Sequence, residues 1–559
     1  MKMKFILFIF SSLIVSNSFS QDVIFLHPFF TEKNAVLLPH IEGDWKMTDL
    51  DGTVSIHKSG DNFYSLQYGK EKQPATFEAT FVKMNGAVLM DLCPVVPESV
   101  GDNDYRNSFL KIHTVYKAEF TGNSLKLTDL NYAWFYNYAV KKKLPLAYEW
   151  TDNGILLTLQ TSELDSFFAE QKDNKGFWGY PTNLSRKSSP IEIKKTANEL
   201  SHGNKMPEDL SQSCMPAFPF KEGWMGGDGD VSVPISKTQT LFIFSDTYVG
   251  NKNQQNRSEP GLKMVSNTVA VETCLPGGKA DVHYYWNNMY SENPQPIFKS
   301  FTNRYRYWVN SAFMYNNCLY VILQKVAHKH GVDPDDIFGF SLPGVSLAKI
   351  TNPLAPPNQW NIELFPLPDF ANPDMSIRCH AIQDNFIYFF VIQHENDDYQ
   401  FLVRKKLDSI ENTEAAFEYY ALDKTWKTGI MANDMDTLIH GFRANTVNYH
   451  ADINKWVMVC DIKFFDNKIK IRTAPSLTGP WSEEDIVYEV PEVTPGTDSY
   501  NKKNFCYLSR ECIQNYDPKN HTMLLTYDIN NTSSTEINAN PKIYTPKLIT
   551  VSLRKYGSR

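Results

Sequence analysis

Residues Ser311 to Gln324 read SAFMYNNCLYVILQ: an apolar run, the polar pair Asn316-Asn317, then a second apolar run. Asparagine tolerates positive φ, which a two-residue hairpin turn demands, so the stretch predicts two antiparallel strands joined tightly. The same form returns at Ala381 to Gln393 around Asp384-Asn385, and again across Thr446 to Lys463. Thr240 to Asp246, Val265 to Val271 and Met523 to Ile529 add further apolar strands, and helical periodicity is lacking throughout this half. Five such units over residues 216–559 come to roughly 69 residues each, long for a four-stranded blade but compatible with loops. A five-bladed β-propeller fits best and a pair of β-sandwiches next. Leu548 to Leu553 is expected to complete a blade begun near Gly227.

Working outward, residues 41–190 show period-2 alternation broken by turn signals. Val54 to Ile56, Phe63 to Tyr68, Thr76 to Val82, Ala87 to Leu92, Ile112 to Phe120, Leu125 to Leu127 and Ile155 to Leu159 read as strands. Asp51-Gly52, Asn85-Gly86 and Gly122-Asn123 lie between them. Such a series predicts a closed up-and-down barrel. Gly43-Asp44-Trp45, just before the first strand, resembles the Gly-x-Trp that opens lipocalin-like barrels, and Ser162 to Gln171 reads as a short closing helix. Residues 191–215, rich in Lys, Glu and Ser, read as a linker. The fold class expected is therefore all-β: a lipocalin-like barrel over 41–190, then a propeller over 216–559.

The N-terminus has the form of a cleavable leader over residues 1–20. Lys2 and Lys4 precede an apolar core from Phe5 to Val15, and Ser18-Phe19-Ser20 stands before Gln21. That core is too short to span a bilayer comfortably, and no Cys follows it for lipidation, so a periplasmic or secreted protein is expected. Without the leader the charge of −8 becomes −10, from 53 basic and 63 acidic residues. An acidic body argues against nucleic acid as the main partner. The aromatic share of 14%, with 11 Trp and 29 Tyr, suits strands and stacking on sugar rings. The eight cysteines are scattered singly and several sit in apolar runs that suit buried thiols; only Cys506 and Cys512 are close enough to suggest a local disulfide, and no zinc spacing occurs.

The densest chemical signal is Gly223-Trp224-Met225-Gly226-Gly227-Asp228-Gly229-Asp230, followed by Phe242-Ile243-Phe244-Ser245-Asp246-Thr247-Tyr248. Glycines around Asp228 admit close approach of backbone or ligand. Asp246 directly follows a strand too apolar for the surface, so it emerges at a strand end, where a propeller opens its central funnel. Two carboxylates there meet the needs of glycosidic cleavage: one protonates the leaving oxygen, the other attacks or activates water. The alternative is turn chemistry, since Asp-Gly is a common hairpin turn.

The paired run, Gly-Trp-x-Gly-Gly-Asp-Gly and then Asp-Thr-x-x-Gly, resembles a bacterial family of exported five-bladed propellers. That family, formerly catalogued as a domain of unknown function, includes endo-D-arabinofuranases (endo-D-arabinanases). Ser266-Asn267-Thr268, Tyr307-Trp308, Asn352-Pro353, Gly479-Pro480-Trp481, Thr526-Tyr527 and Tyr544-x-Pro546 extend the likeness over 216–559. The resemblance implies that Asp228 and Asp246 are the catalytic pair and that the substrate is a polysaccharide. Two departures stand out: Ser245 replaces the usual Gly, and Ser509-Arg510-Glu511-Cys512 replaces a His-Pro segment.

Trp224, Tyr248, Asn267 and Trp308 are candidates to stack on or hydrogen-bond to sugars. Arg378 with His380, Arg443 with Asn445, and Glu511 are candidates to line the same funnel, where Arg suits a uronic or sulfated sugar. His328-Lys329-His330 with Asp333, Asp335 and Asp336 reads as a solvated loop rather than a metal site. Neither a metal nor a cofactor is expected, and no Walker loop, nucleophile elbow or HExxH occurs. The reading is an exported glycoside hydrolase, against a glycan-binding protein whose acids only hydrogen-bond hydroxyls, or a barrel that carries an apolar ligand.

Overall fold

The computed structural model describes residues 22–557 except 32–33, 39, 48–52, 61, 69–74, 85, 97–110, 140–145, 152–153, 172–173, 175, 187–213, 301–305, 329–338, 368–374, 394–398, 413–414, 431–433, 441–442 and 461–465. The expected leader, most of the expected linker and the 329–338 loop lie outside the described residues. Strands are the dominant element, with few and short helices, and no described helix is long and apolar enough to cross a membrane.

Eight antiparallel strands close into the N-terminal barrel: Gly43–Met47, Thr53–Lys58, Tyr64–Tyr68, Ala75–Met84, Ala87–Pro94, His113–Thr121, Ser124–Leu130 and Trp178–Arg186. Alternation sends Trp45, Val54, Ile56, Leu66, Phe81 and Met90 into one buried cluster that fills the interior. Trp45 donates its indole N–H to the Ile41 carbonyl (2.9 Å), and the Arg186 guanidinium lies 4.6 Å above its ring. The stretch expected at Ile155 to Leu159 is not part of this ring. Gly154–Leu157 forms a side ribbon with Asp22–Phe25 and Tyr148–Thr151, and Trp178–Arg186 closes the barrel. The closing helix appears as Thr161–Gln171. A second helix, Tyr132–Ala139, joins it through a cluster of Trp134, Phe135, Phe167, Phe168 and Phe177.

Besides a short three-stranded sheet of Trp224–Gly227, Thr247–Val249 and Lys263–Val265, the C-terminal part holds five sheets in chain order. They begin with Val231–Pro234, Arg306–Tyr315, Met375–Gln383, Ala444–His450 and Asn504–Glu511. The hairpin turns are as expected: Asn316, Asn317, Asp384 and Asn385 all have positive φ, between 47° and 62°. Hydrophobic clusters lie between the first and second sheets, second and third, third and fourth, and fourth and fifth. A further cluster, with Phe242, Phe244, Cys512 and Leu524, joins the fifth back to the first. Leu548 to Leu553 therefore completes a different unit from the one expected. Lys547–Ser552 pairs with Thr522–Asn531 in the fifth sheet, not with strands near Gly227.

The first strands of the second to fifth sheets share an irregularity. Register slips between Val309 and Ser311, Ile377 and Cys379, Ala444 and Thr446, and Tyr507 and Arg510. Each bulge frees main-chain groups, and residues of another sheet satisfy them. Asn310 donates to the Ile377 carbonyl (2.6 Å), Asn445 to the Ser509 carbonyl (3.1 Å), and Arg510 to the Asn310 carbonyl (2.8 Å). Ser245 accepts from the Val309 N–H at 3.0 Å, so the hydroxyl at this departure ties the first sheet to the second.

The disulfide expectation is corrected. Cys506 and Cys512 are not joined in a disulfide, and Cys214 is bridged to Cys274. A spacing of six would put both thiols on one face of a regular strand. The bulge after Tyr507 reverses the faces, so Cys506 enters the cluster toward the fourth sheet and Cys512 the one toward the first.

Candidate functional site at the ends of the first sheet

The strand Trp224–Gly227 turns at Asp228-Gly229 into Val231–Pro234, and Gln239–Phe244 returns beside it. Ser245 N–H donates to the Asp228 carbonyl (2.7 Å) and Asp228 N–H to the Asp246 carbonyl (3.2 Å), so the two aspartates are main-chain neighbours. The glycines answer to crowding. Gly226 has φ 108°, and a Cβ there would lie 2.3 Å from the Tyr544 carbonyl and from the buried Arg257 guanidinium.

Around Asp228 the other contacts come from far along the chain. Tyr507 donates its hydroxyl to Asp228 Oδ2 at 2.7 Å, and Asn530 donates to the Tyr507 oxygen at 3.4 Å. Asp246 faces Arg306, whose Nη2 lies 4.0 Å from Oδ2, and the Trp308 indole N–H. Beneath them, Asp528 Oδ2 accepts the Gly229 N–H (2.9 Å), and Asp230, Asp528 and Arg510 are enclosed.

Burial governs the charges. It raises Asp228 to about 7, with the Asp246 charge adding to the rise and Tyr507 opposing it. Asp246 is also raised by burial, but Arg306 and the Trp308 N–H hold it down. Asp230 is raised to about 6, and Asp528 well above the carboxylate range by burial and by its two aspartate neighbours. Both carboxyls are thus raised by burial, but their surroundings differ: Asp228 is 9% exposed and held by tyrosine, while the Asp246 side chain, at 18%, has a cation beside it.

Other predicted residues divide by position. Trp308 and Tyr248 flank the aspartates and are partly buried; Phe340 meets the Trp308 ring edge-on, as Tyr544 does that of Tyr248. Arg378 donates to the Asn445 side chain at 3.4 Å. Arg443 directly precedes the fourth sheet and is partly buried. Trp224 is fully enclosed and stacks on Tyr284 with centroids 4.4 Å apart, and Asn267 is spent on main-chain groups of Phe298 and Tyr307. Neither reaches solvent. His380 bonds the Ser311 hydroxyl (2.7 Å), and loss of water lowers it to about 4, so it is neutral. Glu511 is buried four residues beyond Tyr507, between Asn448 and His450. Sequence reasoning missed Tyr507, Asn530, Asp528 and Arg306. The one local signal was an aspartate inside the apolar run Met523 to Ile529.

Among the described residues no group of three His, Cys, Asp or Glu side chains is arranged to hold a metal ion. The family model described as "Domain of unknown function (DUF5005)" matches residues 217–553. The chain belongs to the DUF5005 family. The DUF5005 match spans all the described C-terminal sheets and both aspartates and leaves out the barrel. A search of curated proteins found no match. Among solved structures, a "putative hydrolase" from Bacteroides ovatus is 15% identical, with 64% of this chain and 98% of that one covered, at a TM-score of 0.46. A Bombyx mori beta-fructofuranosidase is 8% identical, covering 60% and 63% (TM-score 0.35). A Phanerochaete chrysosporium exo-beta-1,3-galactanase is 10% identical, covering 58% and 60% (TM-score 0.32). The chain thus spans under two thirds of the last two, and at these scores the likenesses carry nothing about the chemistry of this DUF5005 protein.

Proposed function

We propose that this protein is an exported glycoside hydrolase whose five sheets are the blades of a propeller, with Asp228 and Asp246 at its mouth. The observation that carries the reading is the aspartate pair itself: two carboxyls on adjacent strand ends, both raised by burial, of which only Asp246 has an arginine beside it to offset the rise. The propeller assignment rests on the cyclic order of clusters between sheets and on the bulged first strands that bond one another. Domain limits of 41–190 and 216–559, the leader, and export belong to the same proposal.

In this mechanism Asp228 is the general acid. Its proton passes to the glycosidic oxygen as the C1–O bond breaks, and the Asp246 carboxylate either attacks C1 or takes a proton from the attacking water. Tyr507 donates to Oδ2 with Asn530 on the acceptor side of its hydroxyl, and the Tyr544 hydroxyl also meets the Asp228 carboxyl, so the two tyrosines hold the acid in place. Trp308 and Tyr248 are the aromatic surfaces for the sugar. The family resemblance makes arabinan the first substrate to try; the site geometry selects no particular sugar.

The test is incubation with plant and bacterial polysaccharides, arabinan included, followed by assay of new reducing ends. Release that Asp246→Asn abolishes supports the proposal. Tight binding without release would make this a glycan-binding protein instead.

A further inference from the structure

One arginine stands in or directly before the first strand of each of four successive sheets: Arg306, Arg378, Arg443 and Arg510. The first sheet supplies acids instead. Arg510 is committed to the main chain, donating to the Asn310 and Asn445 carbonyls, and Arg378 donates to the Asn445 side chain. Arg306 differs from both in where its guanidinium nitrogens lie: its side chain is 25% exposed and its Nη2 comes no nearer to Asp246 than 4.0 Å. Its buried Nε finds no hydrogen-bond partner among the described residues. The guanidinium lies 5.4 Å over the Trp308 ring, which covers one of its faces and leaves the N–H edge for an acceptor.

A buried donor without an acceptor is costly, so the site is incomplete as it stands. A planar guanidinium fork best fits an oxyanion, two of whose oxygens it binds at once. The local charge does not oppose this: burial raises Asp228 and Asp528 toward their neutral forms, which lessens the negative charge facing Arg306.

We propose that the glycan carries an oxyanion beside the cleaved bond, a uronic carboxylate or a sulfate ester, and that Arg306 receives it. This rests on the glycan-cleaving reading above. The experiment compares cleavage and calorimetric binding of oligogalacturonate, its carboxyl-reduced neutral counterpart, and sulfated and desulfated galactan oligosaccharides. The substrates are tested on the full-length protein and on Arg306→Met and Arg306→Lys.

A preference of at least tenfold for one charged form over its neutral match is expected, and the preferred form tells carboxylate from sulfate. Arg306→Met should erase that ratio whatever it does to overall rate, and Arg306→Lys should keep part of it. Equal handling of charged and neutral forms, or an unchanged ratio in Arg306→Met, overturns the inference while leaving glycan cleavage standing. If no glycan is bound or cleaved, both fall.

Discussion

Replacing Tyr507 with Phe removes the 2.7 Å hydrogen bond to Asp228 Oδ2 and little else, since only the hydroxyl is lost. That bond favours the charged form of the carboxyl, against the burial that raises Asp228 to about 7. A hydrogen bond to a charged group contributes about 1.5–3 kcal/mol, and one pH unit corresponds to about 1.4 kcal/mol, so Asp228 should rise by about one to two further units. If Asp228 is the general acid, kcat/KM falls where it loses its proton, and the alkaline limb reports that event. The wild type should lose activity above about pH 7, and Tyr507→Phe should hold activity about one to two units higher. Tyr507 is itself raised well above its ordinary value and stays protonated throughout this range. The assay is kcat/KM from pH 4 to 10 on the best glycan found. An alkaline limb that stays fixed or moves down in Tyr507→Phe refutes the acid role of Asp228, whereas a purely structural tyrosine would lower the rate without shifting the limb.

Further outcomes follow from the same contacts. Because Asp228 is raised from 3.8 to about 7 in the folded protein, its burden on stability is absent at pH 3 and grows to at most about 4 kcal/mol as pH passes 7. Asp228→Asn should therefore be more stable than wild type at pH 8 and indistinguishable at pH 3 by urea unfolding; a pH-independent difference contradicts this. Gly226→Ala should cost at least about 2 kcal/mol, because its methyl group would meet the Tyr544 carbonyl and Arg257 at 2.3 Å; wild-type melting would contradict that crowding. Peptide mapping without reduction should find Cys214 joined to Cys274, and Cys214→Ser should lower stability by about 2–4 kcal/mol for a bridge spanning 60 residues. A Cys506–Cys512 peptide would contradict it.

What was legible in the sequence was local. Asn316-Asn317 and Asp384-Asn385 announced hairpins because few residues accept two successive positive φ angles. Alternation around Trp45 announced a barrel with one filled face. The aspartate pair was legible for a similar reason: the glycines and the apolar strand that hold it are its immediate neighbours. The rest of the site was not, because Tyr507 and Asp528 reach Asp228 and Gly229 across 279 and 299 residues. Trp224 sits within the glycine-rich motif yet faces inward, which only the stacking of Tyr284 from another strand decides. Bulges defeated parity arguments as well, sending Cys506 and Cys512 to opposite sides of one sheet.

The central claim is that two adjacent aspartates, set in different surroundings, cleave a glycan. Its most direct test is the rate of reducing-end release by wild type, Asp228→Asn and Asp246→Asn on one glycan at pH 6, with folding of each checked by melting. Each variant should lose at least about 100-fold in kcat/KM while melting no lower than wild type. Cleavage within a few-fold of wild type by either folded variant would contradict the account.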